Sequence, residues 1–304
     1  MEKKDNSPLK ISSISELHQI LRVPKPLHPL ISLIDNTEMS VNKELLNRNF
    51  VMDFYKISYK FSENGKIGYG QGYYDFNEGG MMFTAPNQIL STNEEAKYHG
   101  YTLLVHPDFI RNYPLGKSIK KYGFFSYDTN EALHLSDKEK KLIVGLLDNI
   151  HGELDTAIDE ISQDVIVSYV EVLLNYSNRF YKRQFITRKT VNSDLLSKME
   201  NLLEDYFNKQ ETLTGGLPTV EFLASKLNLS PHYLSDMLRN LTGQNAQQHI
   251  HEKLIEKAKE YLTTTSLSVA EVAYQLGFEH SQSFNKLFKK KTNTTPLLYK
   301  QSFN

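Results

Sequence analysis

Two stretches of this sequence repeat one apolar pattern: VEFLASKL at residues 220–227 and VAEVAYQL at residues 269–276. In both, apolar residues recur at positions i, i+3, i+4 and i+7, which is the spacing of one face of an α-helix. A turn and a second amphipathic run come after each stretch, with apolar residues at Leu234, Met237, Leu238 and Leu241 in the first copy and at Phe284, Leu287 and Phe288 in the second. The single alanine on the buried face of each first helix, Ala224 or Ala273, leaves room for the second helix to cross it. The pattern therefore predicts two helix-turn-helix motifs in one chain.

The segment between the two motifs predicts a single connecting helix. Its apolar residues fall at helical spacing from Ala246 to Leu262, and they are Ile250, Leu254, Ala258, Tyr261 and Leu262. At about 1.5 Å per residue such a helix is roughly 25 Å long. With its flanks it would hold two recognition helices about one turn of DNA, roughly 34 Å, apart. One chain would then reach two successive major grooves without dimerising.

The outward faces of the two second helices carry short polar and basic side chains. These are His232, Ser235, Asp236 and Arg239 in the first motif, and Ser281, Gln282, Asn285 and Lys286 in the second, with Lys289, Lys290 and Lys291 behind them. Short polar and amide groups suit base edges, and lysines suit phosphates. Since the sequence from Ser281 to Asn304 has five Lys and no acid, the second motif is predicted to be the stronger electrostatic anchor. The alternative is that these side chains are the ordinary solvated faces of a helical domain. The repetition of the motif and the connecting helix favour a role in DNA binding.

The composition of the chain restricts its chemistry. A net charge of −1 gives no general support to nucleic-acid binding, so that case depends on local charge. The chain has no cysteine, which excludes disulfides, thiolate metal sites and the nucleophilic cysteine of a DNA-alkylation repair enzyme. Met1 to Lys10 is polar and charged, and no apolar run approaches the roughly 18 residues of a membrane span. We therefore expect a cytoplasmic protein without a signal peptide.

The region from Phe50 to about Ile110 predicts short β-strands, arranged as a sandwich or small barrel. Asn64-Gly65 is a hairpin signal, and several glycines lie in the segment after it. Seven tyrosines fall close together in this region: Tyr55, Tyr59, Tyr69, Tyr73, Tyr74, Tyr98 and Tyr101. They would line a ligand cavity or form the core and rim of the sheet. His99, His106 and His134 are too widely separated in sequence to favour a metal site.

Two long helices are predicted after the strands. Ser136 and Glu139 form a capping box for the first. The second has one apolar face made of Val165, Tyr169, Val172, Leu173 and Tyr176. These helices would cover the sheet or pair with a second copy of the chain. A basic segment from Arg179 to Lys189 then predicts a linker, either as a solvated charge run or in contact with phosphate.

Residues from about Pro218 to Tyr299 resemble the DNA-binding domain of the AraC-type transcription regulators. LASKLNLSPHYLS at residues 223–235 resembles the first motif of that family, and VAYQLGF at residues 272–278, then Phe284, Phe288-Lys289-Lys290 and Thr295-Pro296, resembles the second. The resemblance implies that the eight recognition-helix residues named above face bases. Asp236 departs from the family by standing where a basic residue is common, so the contact at this position would be either lost or turned to a cytosine amino group. Leu254 and Lys300 replace usual arginines, and Asn293 replaces a usual glycine.

The resemblance also implies an α+β architecture for the whole chain. It has an N-terminal all-β, cupin-like regulatory domain at residues 1–135, a helical dimerisation or packing segment at 136–185 and an all-α DNA-binding domain with two helix-turn-helix motifs at 186–304. The implied function is a sequence-specific DNA-binding transcription regulator without enzymatic activity or cofactor. Its implied partners are double-stranded DNA, a small-molecule effector, RNA polymerase and a second copy of itself. A cupin-type enzyme carrying a DNA-binding module is the alternative.

Overall fold

A computed structural model describes residues 8–40, 49–61, 66–69, 72–75, 79–91, 99–128, 131–156 and 160–303. The chain divides into two compact units, Met1–Gln184 and Phe185–Asn304. The N-terminal unit combines β-sheets with helices, and the described part of the C-terminal unit is helical, so the fold is α+β. In the described residues, no helix is long and apolar enough to cross a membrane.

The described β-strands of the N-terminal unit form two antiparallel sheets and one mixed sheet. The strands are β1 (Leu9–Ile11), β2 (Ile31–Asp35), β3 (Asn49–Met52), β4 (Tyr55–Phe61), β5 (Lys66–Tyr69), β6 (Gly72–Asp75), β7 (Gly80–Thr84), β8 (Ile89–Ser91), β9 (His99–Val105) and β10 (Leu133–His134). The largest sheet is antiparallel with the order β10-β7-β4-β9-β2. β1, β3 and β8 form a three-stranded sheet, and β5 pairs with β6.

Helices of the N-terminal unit begin with α1 (Ile14–Leu21), which the strand pattern of the sequence did not predict. Its N-cap Ser13 accepts a hydrogen bond from the Glu16 backbone N–H at 3.1 Å, so a Ser-x-x-Glu signal was present. The later helices are α2 (Pro107–Ile110), α3 (Pro114–Ser118), α4 (Asp137–Asp155) and α5 (Glu160–Thr187). The capping box predicted at Ser136 and Glu139 is confirmed at the start of α4.

Both faces of the five-stranded sheet are covered. One face packs against α1 and the three-stranded sheet through an apolar cluster of Ile11, Ile14, Leu17, Ile34, Met52, Phe54 and Leu104. The other face meets α5, where the rings of Phe83 and Tyr181 are 6.2 Å apart and Ser177 donates to the Met81 sulfur. Two layers of apolar side chains therefore hold the sheet between other elements.

The predictions for α5 need two corrections. Its buried face is formed by Ile166, Val170, Leu173, Ser177 and Gln184, whereas Val172 on the predicted face is 39% exposed. The basic segment, predicted as a linker, contains the boundary between the two units after Gln184, but it is helical because α5 continues to Thr187. Within it, the Arg183 guanidinium donates to the His134 carbonyl at 2.7 Å and pairs with Glu139 at 2.9 Å. The guanidinium of Arg183 is therefore hydrogen-bonded within the N-terminal unit.

The predictions for the β region have mixed outcomes. Asn64-Gly65 lies outside the described residues, and the flanking strands β4 and β5 pair with other strands. Tyr55 and Tyr59 are core residues, each 6% exposed, and burial raises the pKa of both phenols. Tyr69, Tyr73 and Tyr74 lie on β5 and β6, Tyr101 on β9 is half-buried, and Tyr98 lies outside the described residues. The described residues hold no cluster of three His, Asp or Glu placed for a metal ion.

The C-terminal unit is built from capped helices. They are α6 (Lys189–Asn208), α7 (Thr212–Gly215), α8 (Val220–Leu227), α9 (Pro231–Thr242), α10 (Ala246–Thr264), α11 (Val269–Gln275), α12 (Ser281–Thr292) and α13 (Pro296–Gln301). Five of them start at a Ser, Thr or Asn whose side chain accepts from a backbone N–H in the first turn: Thr219, Ser230, Asn245, Ser268 and Thr295. These caps explain why the sequence breaks into short helices here.

Candidate nucleic-acid interface

The first helix-turn-helix motif consists of α8, a tight turn and α9. Asn228 ends α8 in the left-handed region at φ 54°, and Ser230 then caps α9 by accepting from the Tyr233 N–H at 3.2 Å. Leu234 and Leu238 are fully buried, which turns the opposite side of α9 outward. On that side His232 and Arg239 are exposed, and Ser235 and Asp236 are half-buried.

The second motif consists of α11, a turn through Gly277 and α12. Phe284 and Phe288 are both fully buried, with ring centroids 5.6 Å apart, and Phe284 also packs on Phe278. This aromatic core fixes which side of α12 faces outward. The exposed residues there are Gln282, Asn285, Lys286, Lys289, Lys290 and Lys291, and Ser281 is half-buried.

The helix α10 joins the two motifs, as the sequence predicts. It spans 19 residues, roughly 28 Å at about 1.5 Å per residue, and starts at a capping box of Asn245 and Gln248. Leu254, Ile255 and Ala258 pack into the core of the second motif, and α9 packs on the same helix. Both recognition helices therefore rest on one continuous rod.

The charges of the two recognition helices differ. On α9 the guanidinium of Arg239 pairs with the Asp236 carboxylate at 2.7 Å. On α12 the lysines lie close enough to α10 to affect His251, whose pKa is lowered by burial and further by Lys291 and Lys290. The two recognition helices therefore differ in charge, since α9 carries an internal ion pair and α12 carries lysines without an acid.

A family model described as a helix-turn-helix domain matches residues 223–302. This part of the chain is therefore an AraC-type helix-turn-helix domain. An uncharacterized HTH-type transcriptional regulator in the cgkA 5′ region of Pseudoalteromonas carrageenovora is 35% identical over 85 residues, covering 28% of this chain and 50% of that protein. The chain thus spans half the length of that relative.

Two further relatives match different extents of the chain. The uncharacterized HTH-type transcriptional regulator YfiF of Bacillus subtilis is 21% identical over 254 residues, covering 82% of this chain and 77% of that protein. A crystal structure of the C-terminal domain of the two-component response regulator yesN from Fusobacterium nucleatum is 34% identical, with a TM-score of 0.31, covering 35% of this chain and 98% of that one.

The family's usual residues are replaced here without loss of local geometry. Asn293 ends α12 at φ 60°, which confirms that asparagine serves at the left-handed position where the family has glycine. Leu254 is 1% exposed in the core of the AraC-type domain. The Lys300 ammonium donates to the Leu267 carbonyl at 2.6 Å, so it ties α13 to the start of the second motif.

One structural feature of the AraC-type domain is not predicted by the sequence pattern. The Glu204 carboxylate on α6 pairs with Lys253 at 2.5 Å and with Lys257 at 2.9 Å, both on α10. Hydrogen bonds from these two lysines lower the pKa of Glu204 to about 2. Because this pKa lies below the ordinary value of 4.5, the ion pairs stabilise the fold at neutral pH and weaken as the pH falls from about 4.5 towards 2. The cluster fastens α6 to the connecting helix.

The predicted contact residues lie on α9 and α12, where each side chain is exposed or half-buried. His232 and Arg239 are exposed on α9. Asn285, Lys286 and Lys289 are exposed on α12. Contact of each residue with DNA remains a prediction. The matched helix-turn-helix domain and the outward polar faces together support DNA binding by this part of the chain.

Proposed function

We propose that this chain is a sequence-specific DNA-binding transcription regulator in which α9 and α12 enter two successive major grooves on one side of the duplex. The observation that carries the proposal is the pair of helix-turn-helix motifs joined by α10, each with its polar side outward. A roughly 28 Å rod with its flanks matches the roughly 34 Å between successive grooves. Two polar faces held at that spacing have a direct use on DNA.

The exposed residues of the two recognition helices suit different parts of DNA, either base edges or phosphates. Amides such as Gln282 and Asn285 near the start of α12 suit adenine edges, because an amide both donates and accepts. Lys289 and Lys290 follow one turn later and suit the flanking phosphates. Near its start, α9 carries His232 and Ser235. We therefore expect α9 to contribute mainly contacts with bases.

Selection of bound genomic fragments by the full chain tests the proposal and supplies a cognate duplex. On that duplex we expect Asn285→Ala and Lys286→Ala each to weaken binding by about 1 to 3 kcal/mol, because each removes a base contact. Fluorescence anisotropy measures the change. Matched controls are Asn201→Ala and Lys198→Ala, which change exposed residues of α6.

Three results would contradict the base-contact prediction or the proposed function. Unchanged affinity in both α12 variants removes the base-contact assignment. Failure to enrich any genomic fragment removes the proposed function, and stoichiometric metal with turnover in the purified protein would favour the cupin-type enzyme instead.

We also propose that the chain forms a homodimer through α5. A second apolar stripe runs along this helix beside its buried face: Ile161, Val165, Tyr169, Val172 and Tyr176. Ile161 is 71% exposed and Val172 is 39% exposed. Residues spaced four, four, three and four apart form one continuous line on a helix, which is the pattern by which two copies of a helix pair.

Sedimentation velocity of the full chain tests this dimer. We expect Val172→Glu to shift the chain from dimer to monomer, because a charge at the centre of the stripe would be buried without a partner. Lys182→Glu, an exposed change off the stripe, should leave the dimer intact. A monomeric wild-type chain, or a dimeric Val172→Glu variant, would contradict the assignment.

We further propose that the N-terminal unit is a cupin-like domain that receives a signal. Two sheets with an apolar core between them support the fold. Ligand binding would favour dimers whose DNA-binding domains reach their sites together. A compound that raises the melting temperature and changes affinity for the selected fragment would support this.

Contact with RNA polymerase also remains a prediction.

A further inference from the structure

The two recognition helices can be compared residue by residue because the chain contains both. Leu234 and Leu238 of α9 occupy the buried positions that Phe284 and Phe288 occupy in α12, fifty residues further along. The same offset relates the outward residues, so Asp236 corresponds to Lys286 and Arg239 to Lys289.

These corresponding positions differ in net charge. On α12, Lys286 and Lys289 are both exposed, and the sequence from Ser281 to Asn304 contains no acid. On α9, the Arg239 guanidinium lies 2.7 Å from the Asp236 carboxylate, with 54% and 28% of the two side chains exposed. The two corresponding positions therefore carry two positive charges on α12 and a neutral ion pair on α9, and the difference is due to Asp236.

The pair has a consequence for binding to DNA of any sequence. Non-specific affinity comes from cations that replace counterions on phosphates. Arg239 must leave Asp236 before it can reach a phosphate, and the freed carboxylate would then repel the backbone. A carboxylate in the major groove instead accepts hydrogen bonds from the amino group of cytosine. The pair thus disfavours phosphate contact while leaving base contact open.

We propose that Asp236 is a specificity-determining residue that holds Arg239 away from the phosphate backbone. Under this proposal α9 contributes to binding only where the base sequence suits it, and α12 supplies the affinity for DNA in general. The proposal rests on the DNA-binding function proposed above and assigns unequal roles to its two recognition helices.

The test uses the full chain and a labelled random-sequence duplex of about three helical turns. Asp236→Asn keeps the shape of the side chain and removes its charge, which frees Arg239. One additional phosphate contact for each bound chain should raise affinity about 5-fold at 0.15 M salt and make the slope of log affinity against log salt more negative by about 0.9. Titration across a range of salt concentrations measures both quantities.

A second variant shows whether the gain comes from Arg239. Arg239→Ala should leave the slope of log affinity against log salt unchanged in the wild-type background, because under the proposal Arg239 makes no phosphate contact there. In the Asp236→Asn background the same change should abolish the 5-fold gain. Asp205→Asn is the matched control, since Asp205 forms a similar exposed pair with Lys209 at 2.7 Å on α6. It adds the same charge to the domain and should leave affinity unchanged.

The outcomes separate this inference from the proposed function. If the wild-type chain binds the duplex and Asp236→Asn binds equally well, or if Asp205→Asn gains as much, the inference is overturned while the function stands. If neither the wild-type chain nor Asp236→Asn binds DNA, both are overturned. A gain in Asp236→Asn that needs Arg239 supports the inference, including when the wild-type chain binds too weakly to measure.

Discussion

Gly277→Ala is expected to destabilise the C-terminal unit by about 2 to 5 kcal/mol and to open the second helix-turn-helix motif. Gly277 has a φ of +91°, and a Cβ there would lie 2.7 Å from the Gly216 carbonyl carbon and 3.0 Å from the Leu217 nitrogen. The left-handed backbone costs an L-residue about 1 to 2 kcal/mol. The overlap with backbone atoms adds about 1 to 3 kcal/mol, because backbone cannot rotate away as a side chain can. Hydrogen exchange of amides in α11 and α12 measures the opening in the full chain.

Gly243→Ala is the matched control for this substitution. Gly243 ends α9 with a φ of +80°, and a Cβ there would have no neighbour within 4 Å. It therefore carries the backbone cost alone, about 1 to 2 kcal/mol. The difference between the two variants isolates the close approach of Gly277 to Gly216. Equal destabilisation by both would contradict the packing of the turn of the second motif against residues that precede the first.

The C-terminal half could be predicted well from sequence because its information is local. Apolar spacing, caps and turns within about ten residues define each helix, and the same pattern occurs twice. The outward residues of α9 and α12 follow directly from the buried ones, so the candidate site could be located from the sequence alone. Asn293 illustrates the same point, since its φ of 60° was expected from its position at the end of α12.

Other features depend on contacts between distant residues, which local patterns do not encode. The helix α5 is apolar on two neighbouring sides, so the sequence did not show which side faces the sheet. Strand order in the N-terminal unit pairs β4 with β9, across long intervening segments. Glu204 and its two lysines lie on different helices, and the Asp236–Arg239 pair needs side-chain geometry. Each of these required the three-dimensional structure.

Lys289→Gln combined with Lys290→Gln is expected to produce the largest loss of DNA affinity. Both side chains are exposed on α12, behind the amides that suit base edges. If each lysine neutralises one phosphate, removing both should weaken binding about 30-fold at 0.15 M salt and about 200-fold at 0.05 M. The slope of log affinity against log salt should become less negative by about 1.8. Titration of the full chain with the selected duplex and with a random duplex measures these values.

The salt dependence is what identifies the role of these lysines. Loss of a base contact, as in Asn285→Ala, should weaken binding by a similar factor at both salt concentrations, because it releases no counterion. The control Lys138→Gln with Lys141→Gln removes two exposed charges from α4 and should leave the slope unchanged. If the α12 double variant kept its affinity and slope, these lysines would face away from the duplex, and α12 would lose its role as the electrostatic anchor. Without that anchor the neutral pair on α9 could not hold the chain on DNA, so this measurement bears on both recognition helices.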